Sequence, residues 1–420
     1  MARTLTPIDG CALMTLLVKE ATGQAAVANV DSSNFVSVGE TVLATGTENV
    51  LNSLSLVLGR TFMAVRPYEA KFKILNSINS GAYSNRLRKI SFYSRDPKEA
   101  GQVNTNANTN LAMGFDNGTN SGSSTESMWV QNAPVPLELN FGGSTAWQDS
   151  TTVYRDALKI AFRGPSEFAE FVNGVMVEKG NDIESQKEAF NRMTFLNYVA
   201  GIYDLDVANP NGRAVNLTSE FNAYYNTSYT TSQLLTTYRK DLFEFAVARF
   251  KTDSDNLENR SARFHWSPAK TIGADSYTLL RHTPKSRQRM ILYKPFMTMA
   301  EATIMPEIFN PQYLDIKNAE FVNFWQADAG DILGNAEINV TPAIPNVSTP
   351  GSQTTGTAVN LKYFIGALYD ADAITIDYQL EDALATPVEA RKRYYNMWWS
   401  FQKNAIADFT ENGIIYFMAD

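Results

Sequence analysis

The chain has 420 residues, is 44% hydrophobic and carries a formal net charge of −8. That allows a large core in two or more subdomains, and the acidic balance argues against a tight nucleic-acid binder, which needs a basic face. The one cysteine, Cys11, excludes an intramolecular disulfide, and no run approaches the ~18 apolar residues of a membrane-crossing helix.

The apolar stretch Cys11 to Val18 follows Asp9 and runs into Lys19-Glu20, unlike a secretory signal. Thr6-Pro7-Ile8-Asp9 instead predicts a helix start: Thr6 can cap, Pro7 suits the first helical position and Asp9 favours the positive end of the dipole. That helix would continue through Leu13, Leu16 and Leu17. Residues 21–40, rich in Gly, Ala and Ser, predict a polar extended tract, so the segment reads as an arm. A second helix is expected from Glu48 to Leu58. Leu87, Ile90, Phe92 and Tyr93 predict a strand. Residues 101–127 are almost wholly Gly, Asn, Thr and Ser, and strands are expected again at Pro134 to Phe141 and Val153 to Phe162. A polar tract of that length does not fit inside a compact domain, so the region predicts a projecting β-arm. Residues 99–154 contain no Lys or Arg.

Gly164-Pro165-Ser166-Glu167 predicts a turn and cap, followed by Phe168, Phe171, Val172, Val175 and Met176 at amphipathic-helix spacing. Gly180-Asn181-Asp182 predicts a bend, with the pattern resuming at Ile183, Phe190, Met193 and Leu196 to Tyr203. Another helix is expected from Thr231 to Phe250, mixed signals over 277–315, and a surface loop over 342–357. Four β-rich runs close the chain: Lys362 to Tyr369, Ala373 to Tyr378, Tyr394 to Phe401 and Ile414 to Phe417.

Catalytic raw material is scarce. His265 and His282 are the only histidines and neither has a cysteine near it in sequence, so both read as structural or exposed. No phosphate-cradling, dinucleotide or nucleophile-elbow motif occurs. Asp370-Ala371-Asp372 with Asp377 has part of a calcium-loop spacing without its Gly and closing Glu, and turn carboxylates are the simpler reading. Glu381-Asp382 is expected in a polar loop. Three basic clusters, Arg86-Arg88-Lys89, Lys285-Arg287-Arg289 and Arg391-Lys392-Arg393, read as solvated or intersubunit ion-pairing faces.

Tyr394-Tyr395-Asn396-Met397-Trp398-Trp399-Ser400-Phe401 admits two readings, a stacking platform for single-stranded nucleic acid or a strand bound for a core and an interface. In a strand, side chains alternate between faces. Tyr395, Met397, Trp399 and Phe401 then share an apolar face, while Tyr394, Asn396, Trp398 and Ser400 share a mixed one. A soluble monomer seldom exposes so many rings, which favours core plus interface. Trp399 is expected in the core and Trp398 on the mixed face.

The closing run carries Asp370-x-Asp372-Ala373, Thr386 leading into Tyr394-Tyr395-Asn396, and Asp408-x-x-Glu411-Asn412 before a last strand. With the order of elements over the whole chain, this resembles the Hong Kong 97-type major capsid proteins of tailed bacteriophages. The resemblance implies an α+β fold with residues 1–47 as N-terminal arm, 48–82 as the first part of the peripheral domain and 83–155 as the extended loop. Residues 156–204 would be peripheral domain with the spine helix, 205–360 mainly apical domain, and 361–420 peripheral-domain strands with the C-terminal strand. It implies a non-enzymatic shell protein without cofactor. Hexamers and pentamers would form an icosahedral head around double-stranded DNA with scaffolding and portal partners and no membrane, assembled in the host cytoplasm and located in the virion. Trp398, Tyr394, Arg391 and Arg393 are the candidate intersubunit contacts. Some members cross-link through an extended-loop lysine to a neighbour's asparagine; no Lys lies between Glu99 and Tyr154, so no such link is expected. The arm begins within the first few residues, so a scaffold would be a separate protein. A nanocompartment shell enclosing a cargo enzyme is the alternative within that fold, and a hydrolase using Asp370 and Asp372 the alternative outside it.

Overall fold

Two β-sheets share one long helix in the computed structural model of the chain. The structure describes residues 11–12, 14–16, 18–19, 30–44, 75–78, 86–94, 134–142, 145–154, 163–172, 178–268, 270–272, 275–303, 319–326, 336–346, 353–387, 389 and 391–420. Helical residues at 11–12, 14–16 and 18–19 precede α1 (Phe35–Ala44), β1 (Asn76–Ile78), β2 (Arg86–Phe92), β3 (Pro136–Gly142) and β4 (Thr145–Tyr154). Next come α2 (Pro165–Val172), α3 (Glu178–Ala208), β5 (Ala214–Asn216), α4 (Leu217–Tyr225), α5 (Thr231–Thr236) and α6 (Arg239–Glu258). A small hairpin, β6 (Lys270–Ile272) and β7 (Asp275–Tyr277), leads to β8 (Gln288–Tyr293), α7 (Lys294–Thr303) and β9 (Ala319–Val322). The remaining elements are strands: β10 (Ile338–Val340), β11 (Ala343–Pro345), β12 (Gln353–Thr355), β13 (Val359–Leu361), β14 (Tyr363–Asp370), β15 (Ile374–Ala385), β16 (Tyr394–Ala407) and β17 (Gly413–Met418).

The first sheet has the order β5-β17-β14-β8-β9. β14 and β17 are buried almost throughout, as expected of strands covered on both faces. Ile365, Leu368, Ile414 and Tyr416 pack with Phe221, Leu242, Phe243 and Phe250 of the α4–α6 layer. Phe364, Tyr369, Ile415 and Phe417 face the other way, with Phe195, Tyr198 and Ile202 of α3. The second sheet has the order β1-β15-β16-β4, and α3 covers one of its faces. There Trp147 meets Phe190 edge-on at 5.9 Å, and the Lys179 and Lys187 amines lie over the Trp399 and Phe401 rings at 5.8 Å each. At 31 residues, α3 is about 46 Å long, which lets it back both sheets. Residues 361–420 supply strands to both.

Several expectations need correction. The bend at Gly180-Asn181-Asp182 is absent, because those residues fall in the first turns of α3, where small and polar side chains are tolerated. α3 runs from Glu178 to Ala208, and residues 173–177 lie outside the described residues. The helix expected from Thr231 to Phe250 is two helices. Thr230 and Gln233 form a reciprocal cap on α5, and the chain turns at Tyr238, whose ring stacks on Tyr229 at 4.0 Å. Of the strand expected at Val153 to Phe162, Val153 and Tyr154 are the last residues of β4, which begins at Thr145; residues 155–162 lie outside the described residues. Within 342–357, expected as loop, β11 and β12 pair antiparallel, anchored by Asn197 of α3, which accepts from the Ala343 N–H at 2.8 Å. Glu381-Asp382 sits inside β15, not in a loop.

In the N-terminal region Met14 and Val18 are buried while Leu16, expected on the apolar face, is exposed. The tract 21–40, expected as extended, contains most of α1, whose Phe35 is fully buried against Phe168 at 6.0 Å. The helix expected over 48–58 and the polar tract 101–127 lie outside the described residues.

Candidate assembly surface

The outer face of the second sheet is built by alternation. In β4 the residues at 146, 148, 150, 152 and 154 point outward, and in β16 Tyr394, Asn396, Trp398 and Ser400 do. Antiparallel register places Tyr154 opposite Tyr394, with ring centroids 6.3 Å apart, and sets Trp398 between Ser150 and Leu384. Between these apolar pairs the Thr152 hydroxyl donates to Asn396 Oδ1 at 2.7 Å. Trp398 is 39% exposed, Tyr154 58% and Leu384 63%. The opposite face is closed: Tyr395, Met397, Trp399 and Phe401 are all buried, so the expected division of this strand holds.

The connection from β15 to β16 is tight. The Arg393 N–H donates to Glu389 O at 2.8 Å, the Glu389 carboxylate accepts from the Lys392 N–H, and Arg393 takes the left-handed conformation at φ 55°. This exposes Arg391, Lys392 and Arg393 at a basic tip beside Tyr394. The structure therefore brings Arg391, Arg393 and Tyr394 to one end of β16, with Trp398 about 13 Å further along the strand. Tyr154 and Leu384 went unrecognised in the sequence. Tyr154 was placed near the start of an expected strand with no partner assigned to it, and Leu384 lay next to two acids that suggested a loop.

The β2–β3 pair presents a second surface. β2 and β3 pair antiparallel from Arg86↔Gly142 to Phe92↔Pro136, so residues 93–135 leave and return through this ladder. β2 is inverted relative to an ordinary half-buried strand: Lys89 and Ser91 point inward, while Ile90 is 49% exposed and Phe92 61%; β3 keeps the ordinary pattern, with Leu137 buried and Glu138 and Asn140 exposed. Inward, Lys89 meets Asp408 and Glu411, and the Ser91 hydroxyl accepts from Arg281 at 2.7 Å. Outward, Arg88 pairs with Glu138 at 2.7 Å.

In the Lys285-Arg287-Arg289 cluster, Lys285 pairs with Asp255 at 2.9 Å and Arg287 with Asp372 within the chain. Asp370 and Asp372 shape the β14–β15 turn. Asp370 accepts from the Thr283 hydroxyl and from the Asp372 N–H, both at 2.9 Å, which engages its carboxylate in structure. His265 is buried with Nε2 2.9 Å from Leu279 O and Nδ1 3.0 Å from Arg263 O. Burial lowers its pKa from the usual imidazole value. His282 is exposed.

No protein-family model matches the chain, and no curated protein matches it. Among solved structures it is similar to a chain of the Staphylococcus phage Andhra capsid, at 11% identity and a TM-score of 0.46 over 84% of this chain and 88% of that one. A chain of the bacteriophage PhiM1 mature capsid gives 8% identity and 0.43, covering 84% and 88%. A chain of the cyanophage P-SCSP1u capsid gives 11% and 0.41, covering 83% and 87%.

Proposed function

We propose that this chain is the major capsid protein of a tailed double-stranded DNA bacteriophage, a non-enzymatic subunit that assembles with copies of itself into an icosahedral head. The observation that carries the reading is the inverted strand β2. A chain that spends its lysine and serine inward and points Ile90 and Phe92 outward gains apolar burial only when a neighbour covers that face. The outer face of β4, β15 and β16 is a second, separate surface of the same kind. Two different patches on one chain support head-to-tail contacts, the kind that build rings when the rotation between neighbours closes. The resemblance of the closing run to Hong Kong 97-type capsid proteins agrees with this.

In this reading residues 1–47 form the N-terminal arm, 83–155 the extended loop, α3 the spine, and much of 205–360 the apical domain. Trp398, Tyr394, Arg391 and Arg393 contact neighbouring subunits in hexamers and pentamers. The acidic chain encloses DNA without holding it by many phosphate contacts, with scaffolding and portal proteins as partners and the virion as its place.

Negative-stain microscopy of the expressed chain, with and without a candidate scaffold, tests this. Closed shells are expected, and Phe92→Asp should leave a folded subunit that forms none. A wild-type chain that stays monomeric under every condition that folds it, scaffold included, would overturn the reading.

A further inference from the structure

The groups around the Lys89 amine at the arm's base go beyond an ion pair. Nζ touches Asp408 Oδ2 and lies 2.5 Å from Glu411 Oε1. The Asp408 side chain is 1% exposed and that of Glu411 12%. Asp408 presents its two oxygens differently: Oδ2 faces the lysine, while Oδ1 accepts from the Thr410 N–H at 2.9 Å and from the Thr410 hydroxyl at 2.6 Å. The turn is pinned, because the Asp408 N–H donates to Ala373 O at 2.7 Å and the Phe409 ring stacks on Tyr198 at 5.4 Å. Arg281 closes the far side, 3.4 Å from Glu411 and donating to Thr410 O at 3.1 Å. A cavity of about 40 Å³ lined by Asp408, Phe409, Thr410, Leu137 and Leu139 adjoins the group.

We propose that Lys89 and Asp408 condense into an intrachain amide, with Glu411 as the catalytic residue that moves the protons. Glu411 takes one proton from the ammonium and passes it to Oδ2. The freed amine attacks Cγ of Asp408, forming the N–C bond, and the negative charge that develops on Oδ1 is held by the two Thr410 donors. Glu411 then takes a second proton from the nitrogen and delivers it to Oδ2. The Cγ–Oδ2 bond breaks, water leaves, the carbonyl reforms at Oδ1, and Glu411 returns to its starting state. Ammonium plus carboxylate gives amide plus water, with no outside reagent.

The adjoining cavity has room for the released water. Burial raises the Glu411 pKa, which suits a carboxyl that must hold a proton in transit. Burial pulls the Lys89 pKa down, but the charges of Asp408 and Glu411 outweigh it and raise it overall. The resting state is therefore the ion pair, and hand-off to Glu411 is the step that makes the amine a nucleophile. The bond would fasten the arm's base to the turn before β17 within a single chain, and it does not depend on the shell reading.

Intact-mass measurement of the purified full chain tests this. The wild type is expected to be lighter than its sequence by one water, with a branched peptide joining the segments that contain Lys89 and Asp408. Lys89→Arg and Glu411→Gln are each expected at full sequence mass. A wild-type chain at full mass would overturn the proposal whatever the variants do. A one-water loss that persists in Lys89→Arg would overturn the linkage, and one that persists in Glu411→Gln would overturn the role of that residue.

Discussion

Trp398 and Trp399 are adjacent in β16 and lie on opposite faces of one sheet, the first 39% exposed and the second 3%. Their truncations should therefore separate. Trp399→Ala opens a cavity beneath α3, costing about 3–5 kcal/mol, and is expected to give poorly soluble subunit. Trp398→Ala is expected to leave the melting temperature near wild type and to weaken assembly, as loss of an aromatic anchor does. Solubility, thermal melts and particle yield for the two variants check this. Equal destabilisation by both would sink the division of faces.

Gly366 sits where β14 shifts register, and a Cβ there would come within 2.3 Å of the Ile291 carbonyl on β8. That atom belongs to the backbone of the adjacent strand and has nowhere to go. Gly366→Ala should abolish soluble expression, whereas Gly164→Ala, whose Cβ would meet only the end of the Glu167 side chain, should express normally. A soluble Gly366→Ala chain with a wild-type melt would contradict this packing.

Acid should weaken the fold through His265. Its folded pKa lies below the usual 6.5 because of burial. The unfolded chain therefore binds the proton more readily, and stability drops as pH falls below 6.5, by no more than about 1.4 kcal/mol per pH unit. The raised pKa values of Asp253 and Glu411, both caused first by burial, act in the opposite direction. The informative quantity is thus the difference between wild type and His265→Gln, melted at about pH 7.5 and about pH 5.5. The wild type should lose more on acidification. Parallel losses would mean that the imidazole contributes nothing.

Assembled particles should dissociate to single-chain bands in hot detergent. Residues 99–154 offer no lysine as amine donor for a bond to a neighbour, and an amide between Lys89 and Asp408 joins a chain only to itself. A heat-resistant ladder of multimers would contradict this and would point to Lys98 as the donor.

What the sequence revealed depended on the range of the interaction concerned. The faces of β16 were legible because alternation is local and Tyr395, Met397, Trp399 and Phe401 all fall on one side. The apolar runs of β14 and β17 were legible because a continuous apolar stretch is also a local signal. The β11–β12 pairing was not, since Ala343 is held by Asn197, a residue distant in sequence. The turn at Tyr238 was hidden because Leu234 and Leu242 suggest one continuous helix, while stacking on Tyr229 ends it. At the candidate surface, Trp398 and Tyr394 announced themselves as rings. Leu384 and Tyr154 became part of it only through strand register, which composition does not encode. The inversion of β2 was equally hidden, because what draws Lys89 inward is an acidic turn from the far end of the sequence.

The last strands also impose a timetable on synthesis. β14 and β17 lie inside the first sheet, and β15 and β16 are the middle of the second. On the ribosome these four emerge after every other element described, so a nascent chain carries α3, the α4–α6 layer and the outer strands with nothing yet between them. Domains made early can usually fold while the rest is still being translated; this arrangement denies the chain that option. A product that stops short of residue 413 lacks β17 and leaves β5 without its neighbour. Only a chain translated through its closing strands can complete either core, since β17 supplies Ile415 and Phe417 to one and Ile414 and Tyr416 to the other.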